Sequence, residues 1–162
     1  MKTSFIQQGT RSGLVLLSSG LLLAALGFEP ASAGGPAVAN TGYFGNVAIE
    51  GYDTVAYFTD GKATKGSEEF SYEWLGALWH FVNDEHRRLF AANPISYAPQ
   101  FGGLCAEGMA FQEMTVNIEP EAWQIIDGKL YFTAGARFAD NYEALVPQAE
   151  ENWPSIEAEM TQ

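Results

Sequence analysis

The apolar residues of this chain form two strand-like patterns, each interrupted by residues that favour a turn. In the first, aromatic and polar residues alternate from Phe70 to Trp74, which is the period of a strand with one buried face. Leu75-Gly76 can reverse the chain, and residues 77–81 supply a second apolar segment. We therefore predict an antiparallel hairpin over residues 70–81.

A second hairpin is predicted where two short apolar segments flank an Asp-Gly pair. Residues 123–126 and 129–132 are rich in aromatic and aliphatic side chains, and Asp127-Gly128 lies between them. Asp-Gly favours the tight turn that joins two strands through two residues. This signal is the stronger of the two.

A short helix is predicted over residues 84–92. Asn83 can cap its first turn, and Asn93-Pro94 can stop it. Three side chains spaced at i, i+3 and i+4 would share its inner face: His86, Leu89 and Phe90.

A last helical region is predicted over residues 137–151, with Phe138, Tyr142 and Leu145 inward. We expect it to be interrupted at Pro147 and to end near Trp153-Pro154. Helices and antiparallel hairpins without a strand–helix–strand repeat indicate an α+β fold, here a small single domain of hairpins and short helices.

The N-terminal residues have the pattern of a secretory signal. Lys2 and Arg11 precede an apolar run over residues 14–28, and Ala31-Ser32-Ala33 is a small-x-small cleavage motif. A second such motif, Ala37-Val38-Ala39, leaves cleavage after Ala33 or Ala39 open, and an uncleaved anchor is the alternative. The predicted organisation is a signal peptide (1–33), a flexible lead-in (34–46), a domain (47–154) and a C-terminal tail (155–162).

Charge restricts the classes of partner. Without residues 1–33 the chain has six basic and 19 acidic side chains, a net charge of −13. This balance argues against nucleic acid and against anionic membrane surfaces, and we expect no stable membrane insertion of the mature chain. Cations are the natural counterpart, although solubility alone also explains the charge.

Cys105 is the single cysteine, so it cannot form a disulfide within the chain. Gly102-Gly103 can bend the backbone just before it and place it in the first turn of a short helix, where free N–H groups favour a thiolate. Glu107 and apolar neighbours oppose this effect. The alternative is a buried cysteine that packs as a small hydrophobic residue.

Two kinds of residue could share a metal ion with Cys105. Met109 follows it by four residues, and a thiolate with a thioether suits Cu(I); Met114 is a possible third soft donor. His80 and His86 are ligands by residue type, but neither has a zinc-motif spacing. Methionines that fill core gaps and hydrogen-bonded structural histidines are the alternatives.

The segment Gly51–Phe58 is a candidate pocket wall. Asp53 can cap a short turn, and Tyr52 and Tyr57 carry hydroxyl groups that need partners when buried. With Gly102-Gly103, these three residues form our candidate ligand-binding set; a capped turn that packs aromatic rings is the plainer interpretation. Hydrolysis has little support, because the chain lacks Gly-x-Ser-x-Gly and offers only a Cys105–His86 pair.

Several motifs together resemble the exported YHS-domain proteins of Gram-negative bacteria. The resemblance extends from about Ala48 to Pro154 and rests on these segments: Gly51-Tyr-Asp-Thr-Val-Ala-Tyr-Phe58, Trp79-x-Phe81, Asn93-Pro-x-x-Tyr-Ala-Pro-Gln-Phe-Gly-Gly-x-Cys-Ala106, Trp123-x-Ile, Asp127-Gly-Lys-Leu-Tyr131 and Asn152-Trp-Pro154. It implies a periplasmic location, a YHS-like fold and Cys105 as the main candidate functional residue. Related modules attached to copper-transporting ATPases often carry two cysteines and are presumed to bind metal.

This chain departs from that pattern in having one cysteine, and in having Asp53-Thr54 where exported relatives usually show Asp-Pro. A two-thiolate site therefore cannot form within one chain. Our prediction is a non-catalytic periplasmic domain that binds a metal ion or small ligand near Cys105. Copper as Cu(I) is favoured, with Met109 and then His86 as co-ligands. The alternatives are a metal-free binding or interaction domain with a structural cysteine, and a redox-active thiol protein.

Overall fold

The computed structural model describes residues 38–42, 45–112, 118–135 and 142–162. They belong to one compact unit that extends from Ala33 to Gln162. The predicted signal peptide, Met114, Phe138 and part of the predicted lead-in lie outside the described residues. The described residues contain two short turns, Ala48–Gly51 and Gln100–Gly103, and nine helices and strands. Those elements are α1 (Thr54–Thr59), β1 (Ser67–Trp74), β2 (Ala77–Phe81), α2 (Asp84–Ala92), α3 (Pro94–Tyr97), α4 (Ala106–Phe111), β3 (Trp123–Ile126), β4 (Lys129–Phe132) and α5 (Tyr142–Met160).

The first predicted hairpin is confirmed. β1 and β2 pair antiparallel, with Trp74 opposite Ala77, and an irregularity in register between Ser67 and Ser71. Leu75 and Gly76 both have positive φ, as a tight two-residue hairpin turn requires. The strand β1 begins at Ser67, three residues before the predicted alternation, because the pairing continues past the irregularity.

The second hairpin is also confirmed. β3 and β4 pair antiparallel, with Ile126 opposite Lys129, and the positive φ angles of Asp127 and Gly128 form the turn. The described residues therefore contain two separate two-stranded sheets together with five α-helices, which confirms the α+β class.

The helix α2 matches its prediction. Asn83 Oδ1 accepts a hydrogen bond from the backbone N–H of His86 at 2.8 Å, and the helix ends at Ala92. Its inner residue Phe90 is fully buried and stacks on Trp79 with ring centroids 4.9 Å apart. Ring contacts of this kind join α2 to the first hairpin.

The last helix is longer than predicted. It continues through Pro147 and Pro154 to Met160, so most of the predicted C-terminal tail is helical, and Ile156 within it is buried. Both prolines are exposed. The carbonyl groups that lose a helical partner, those of Glu143 and Glu150, belong to exposed residues and can bind water, which makes the prolines tolerable here.

Two clusters of buried side chains form the core. The strand β4 contributes to both, because Leu130 and Phe132 lie in one and Tyr131 in the other. The first core cluster consists of Ala48, Ile49, Val55, Tyr57, Ala77, Trp79, Phe81, Phe90, Ala98, Cys105, Ile118, Leu130 and Phe132. The second consists of Phe101, Leu104, Ala106, Met109, Ala110, Tyr131, Tyr142, Val146, Ala149 and Ile156. Among the described helices, none is both long and apolar enough to cross a membrane.

Candidate functional site

Cys105 lies immediately before α4, at its N-cap, and not within its first turn. Its backbone is extended (φ −63°, ψ 119°), and it forms a parallel bridge with Phe132. The bend that precedes it has positive φ at Phe101, Gly102 and Gly103. Only 1 % of Cys105 is exposed, so the thiol is closed off from solvent.

The extended backbone sends the Cys105 side chain away from those of its neighbours. Leu104 and Ala106 pack in the second core cluster, whereas Cys105 packs in the first. Successive side chains of an extended segment point to opposite faces, which accounts for this alternation. The thiol therefore lies among aromatic and aliphatic side chains of the first core cluster.

Met109 lies four residues after Cys105, and the Met109 backbone N–H donates to the Cys105 carbonyl at 3.1 Å. Its side chain is fully buried but packs in the second core cluster. The expected common helical face does not form, because Cys105 is not itself helical. The structure thus places the two sulfur side chains in different clusters.

Tyr142, at the start of α5, is a buried neighbour of this region. Its hydroxyl donates to the Ala122 carbonyl at 2.8 Å and lies 3.3 Å from the Thr133 hydroxyl. Burial is the main cause that raises the pKa of Tyr142 to about 12; the Thr133 hydrogen bond lowers it, and Cys105 adds a small increase. The phenol therefore remains a neutral donor under ordinary conditions.

His86 is held by Asp53. Its Nδ1 lies 2.7 Å from Asp53 Oδ2, and its Nε2 lies 3.5 Å from the Thr59 hydroxyl. His86 is buried and on the inner face of α2, as predicted. Among the described residues, no hydrogen bond or ion pair joins His86 to Cys105 or Met109. The structure therefore pairs this histidine with a carboxylate and not with sulfur.

Asp53 connects three elements through one fully buried carboxylate. Oδ1 accepts from the backbone N–H groups of Val55 at 2.9 Å and Ala56 at 3.2 Å, which caps α1 as the sequence indicated. Oδ2 accepts from the N–H of Val82 at 2.9 Å and contacts His86. The side chain is inaccessible to a ligand, so its role in this geometry is structural.

Tyr52 and Tyr57 support one loop from two sides. The Tyr57 hydroxyl donates to the Pro120 carbonyl at 3.0 Å, and burial raises the pKa of this tyrosine. The Tyr52 hydroxyl donates to Glu121 Oε1 at 2.8 Å, and this bond is the main cause that raises the Tyr52 pKa. Both tyrosines bind the segment at positions 118–122. The sequence had not indicated this contact.

The bend at Gly102-Gly103 is occupied by the chain itself. A Cβ added to Gly102 would lie 2.5 Å from the Val38 carbonyl oxygen, and one added to Gly103 would overlap Ile49 Cδ1. Both positions also have positive φ, so the backbone conformation and the lack of space each favour glycine here. Each member of the predicted ligand set, Tyr52, Asp53, Tyr57, Gly102 and Gly103, thus contacts another part of the chain in this structure.

Two asparagines have structural roles that sequence reasoning missed. Asn152 Nδ2 donates to the carbonyls of Met109 at 3.0 Å and Ala110 at 2.9 Å, which ties α5 to the end of α4. The Asn152-Trp-Pro motif was the feature of the sequence that could have indicated a role for Asn152. Asn40, in the predicted flexible lead-in, is 5 % exposed and bound to the glycine bend, and nothing local in the sequence marked it.

The described residues contain no group of three or more His, Cys, Asp or Glu side chains arranged to hold a metal ion. Cys105 and Met109 would supply two sulfur ligands at most, from different clusters. The third soft donor considered, Met114, lies outside the described residues. Within the described part of the chain, the Cys105 and Met109 side chains thus pack in different clusters, and His86 pairs with Asp53.

An open groove lies between the second hairpin and α5, with a volume of about 400 Å³. Lys129 Nζ donates to Glu150 Oε1 at 2.8 Å, and the Tyr131 hydroxyl donates to the same oxygen at 3.1 Å. The Lys129 hydrogen bond is the main cause that lowers the Glu150 pKa. We call this surface the hairpin groove; it is lined by Ile126, Asp127, Lys129, Tyr131, Glu143, Val146, Pro147 and Glu150.

Comparison with protein-family models, with curated proteins and with solved structures returned no match for this chain. The resemblance to exported YHS-domain proteins therefore stays a prediction that rests on the motifs quoted above.

Proposed function

We propose that this protein is an exported, non-catalytic, YHS-like binding domain that takes a small organic cation in the hairpin groove, and that Cys105 is a packing residue. The observation that supports the role of Cys105 is its burial, at 1 % exposure, among the apolar side chains of the first core cluster. Free cysteines in such surroundings act as small hydrophobic residues.

The charge of the hairpin groove supports the choice of ligand. Glu150 offsets the single lysine through a direct ion pair at 2.8 Å. Asp127 and Glu143 remain as negative charge that this lysine does not offset, so the lining has a net charge of −2. An ammonium group would be attracted to these carboxylates, and the net charge of the whole chain, −12, has the same sign.

The shape of the groove supports a small molecule. Its volume of about 400 Å³ is within the usual range for ligand pockets. Ile126, Val146 and Pro147 provide apolar surface beside the carboxylates. A short aliphatic chain that ends in an ammonium group would match both parts of this lining.

A titration monitored by NMR tests the proposal. Putrescine is the probe, and 1,4-butanediol, of similar length but uncharged, is its control. We expect saturable shifts of the Tyr131 and Val146 amide signals with putrescine alone, weakened by salt. Glu143→Gln should weaken binding by up to about fivefold. Glu159→Gln, on the exposed end of the same helix, is the matched control.

Two outcomes would contradict the groove. One is a putrescine titration without saturable shifts at Tyr131 and Val146. The other is equal weakening by Glu143→Gln and Glu159→Gln, which would mean that the probe responds only to the overall negative charge.

Copper binding at Cys105 remains a second candidate, favoured by one observation. Cys105 and Met109 are both buried and are linked by a backbone hydrogen bond, although their side chains pack in different core clusters. Metal analysis of the isolated protein, followed by a Cu(I) competition assay on wild type and Cys105→Ala, decides the matter. Equal Cu(I) affinity in the two proteins would remove Cys105 as a ligand.

A thiol reagent separates the three roles of Cys105. A packing residue should react only after the protein unfolds. A metal ligand should react in the native protein and be protected by Cu(I), and a redox thiol should react regardless of metal. Rapid labelling of the native, metal-free protein would contradict the packing role proposed here.

A further inference from the structure

The residues just before the predicted domain boundary are part of the folded unit. The Asn40 backbone N–H donates to the Gly102 carbonyl at 2.7 Å, and the Asn40 carbonyl accepts from the Ile49 N–H at 2.9 Å. The Asn40 side chain donates to the Gly103 carbonyl at 2.9 Å and accepts from the Gly42 N–H at 2.9 Å. Asn40 therefore joins three separate parts of the chain.

Val38 and Ala39 also contact other parts of the folded unit. The carbonyl of Val38 lies so close to Gly102 that a side chain at position 102 could not fit. Ala39 packs against the first core cluster. Both residues, with Leu104 and Met160, border a small cavity of about 180 Å³. Removal of Val38 and Ala39 would expose the glycine bend to water.

The two possible processing sites therefore have different consequences. Hydrolysis by a signal peptidase adds water across one peptide bond, leaving a carboxylate on the departing segment and an ammonium on the new first residue. A cut after Ala39 would place that ammonium on Asn40, which is 5 % exposed and 2.7 Å from a carbonyl oxygen. Moving a charged group out of water into such a site is costly.

A cut after Ala33 would place the ammonium on Gly34, four residues before Val38, and would keep Val38–Asn40 within the mature chain. We propose that export processing occurs after Ala33, and that Val38–Asn40 is retained as a structural segment that fills the bend at Gly102-Gly103. This assignment rests on the export that is part of the proposed function, but it does not depend on what the hairpin groove binds.

The test uses the full-length chain expressed in a Gram-negative host, with intact-mass analysis of the periplasmic product. We expect the mature wild type to begin at Gly34. Ala37→Tyr blocks only the second motif and changes none of the contacts described above, so its product should be the same as wild type. Ala33→Tyr blocks the first motif and should give precursor, or a product beginning at Asn40.

A melting measurement adds a readout that does not depend on peptidase preference. Any product that begins at Asn40 should melt about 5 °C or more below the product that begins at Gly34. The proposal is overturned by a wild-type product that begins at Asn40, by recovery of the unprocessed chain alone, or by equal melting temperatures. Accumulation of precursor in Ala33→Tyr alone supports it.

Discussion

The buried carboxylate of Asp53 provides the sharpest test of how this domain is held together. Asp53→Asn keeps the size of the side chain and leaves one oxygen to cap α1 through the N–H groups of Val55 and Ala56. The new amide group then faces the Val82 N–H, where Oδ2 accepted at 2.9 Å, so that two donors oppose each other. His86 loses its carboxylate partner at the same time.

The expected magnitude follows from the groups left without partners. A buried N–H without an acceptor costs about 1–3 kcal/mol, and loss of the His86 contact adds to this. We expect Asp53→Asn to lower the free energy of unfolding by about 2–4 kcal/mol. Asp53→Ala also removes the cap of α1, which costs about 1 kcal/mol more.

Urea unfolding followed by tryptophan fluorescence measures these changes. Asp60→Asn is the matched control, because Asp60 is exposed at the end of α1, and it should change stability by less than about 0.5 kcal/mol. The reasoning would be refuted if Asp53→Asn stayed within about 1 kcal/mol of wild type with an unchanged denaturant slope.

Three further predictions concern the glycine bend, the thiol and the hairpin groove. Gly103→Ala should lower the free energy of unfolding by more than about 2 kcal/mol, because it combines positive φ with overlap at Ile49. Its control, Gly61→Ala, has positive φ but open space and should lower it by about 1 kcal/mol. Equal losses of stability in urea unfolding would contradict the overlap. Cys105→Ser should cost about 1–3 kcal/mol in the same assay, because it buries a hydroxyl among apolar side chains, and wild-type stability would argue against that environment. The pKa of Glu150 is lowered in the folded protein, so its ion pair with Lys129 stabilises the fold at neutral pH, and this stabilisation is lost as pH falls through the folded pKa. At pH 7, Glu150→Gln should therefore be less stable than wild type, by less than about 1 kcal/mol because the pair is exposed. In acid the two proteins should be equally stable.

The parts of the fold that sequence predicted are those fixed by neighbouring residues. Asp127-Gly128 and Leu75-Gly76 adopt positive φ because of local turn chemistry, and Asn83 caps α2 three residues away. Each signal acts within one turn of the chain. The continuation of α5 through Pro147 could not be predicted in this way, because it depends on which side of the helix faces water.

The candidate site was harder to predict because its residues meet partners far away in sequence. Asp53 was correctly assigned as a cap, yet its contacts with Val82 and His86 depend on how α1, β2 and α2 pack. The four-residue spacing of Cys105 and Met109 predicted that the two side chains share a helical face. Their side chains nonetheless diverge, because the bend that precedes α4 leaves Cys105 extended.

The same bend explains why the glycine pair beside the single cysteine led to the prediction of a binding site. Glycines are needed where another group approaches the backbone closely, and a sequence cannot reveal whether that group is a ligand or the chain itself. Here the approaching groups are Val38, Ile49 and Asn40. The space around Gly102-Gly103 is thus filled by the chain itself, whereas the hairpin groove is open to a ligand.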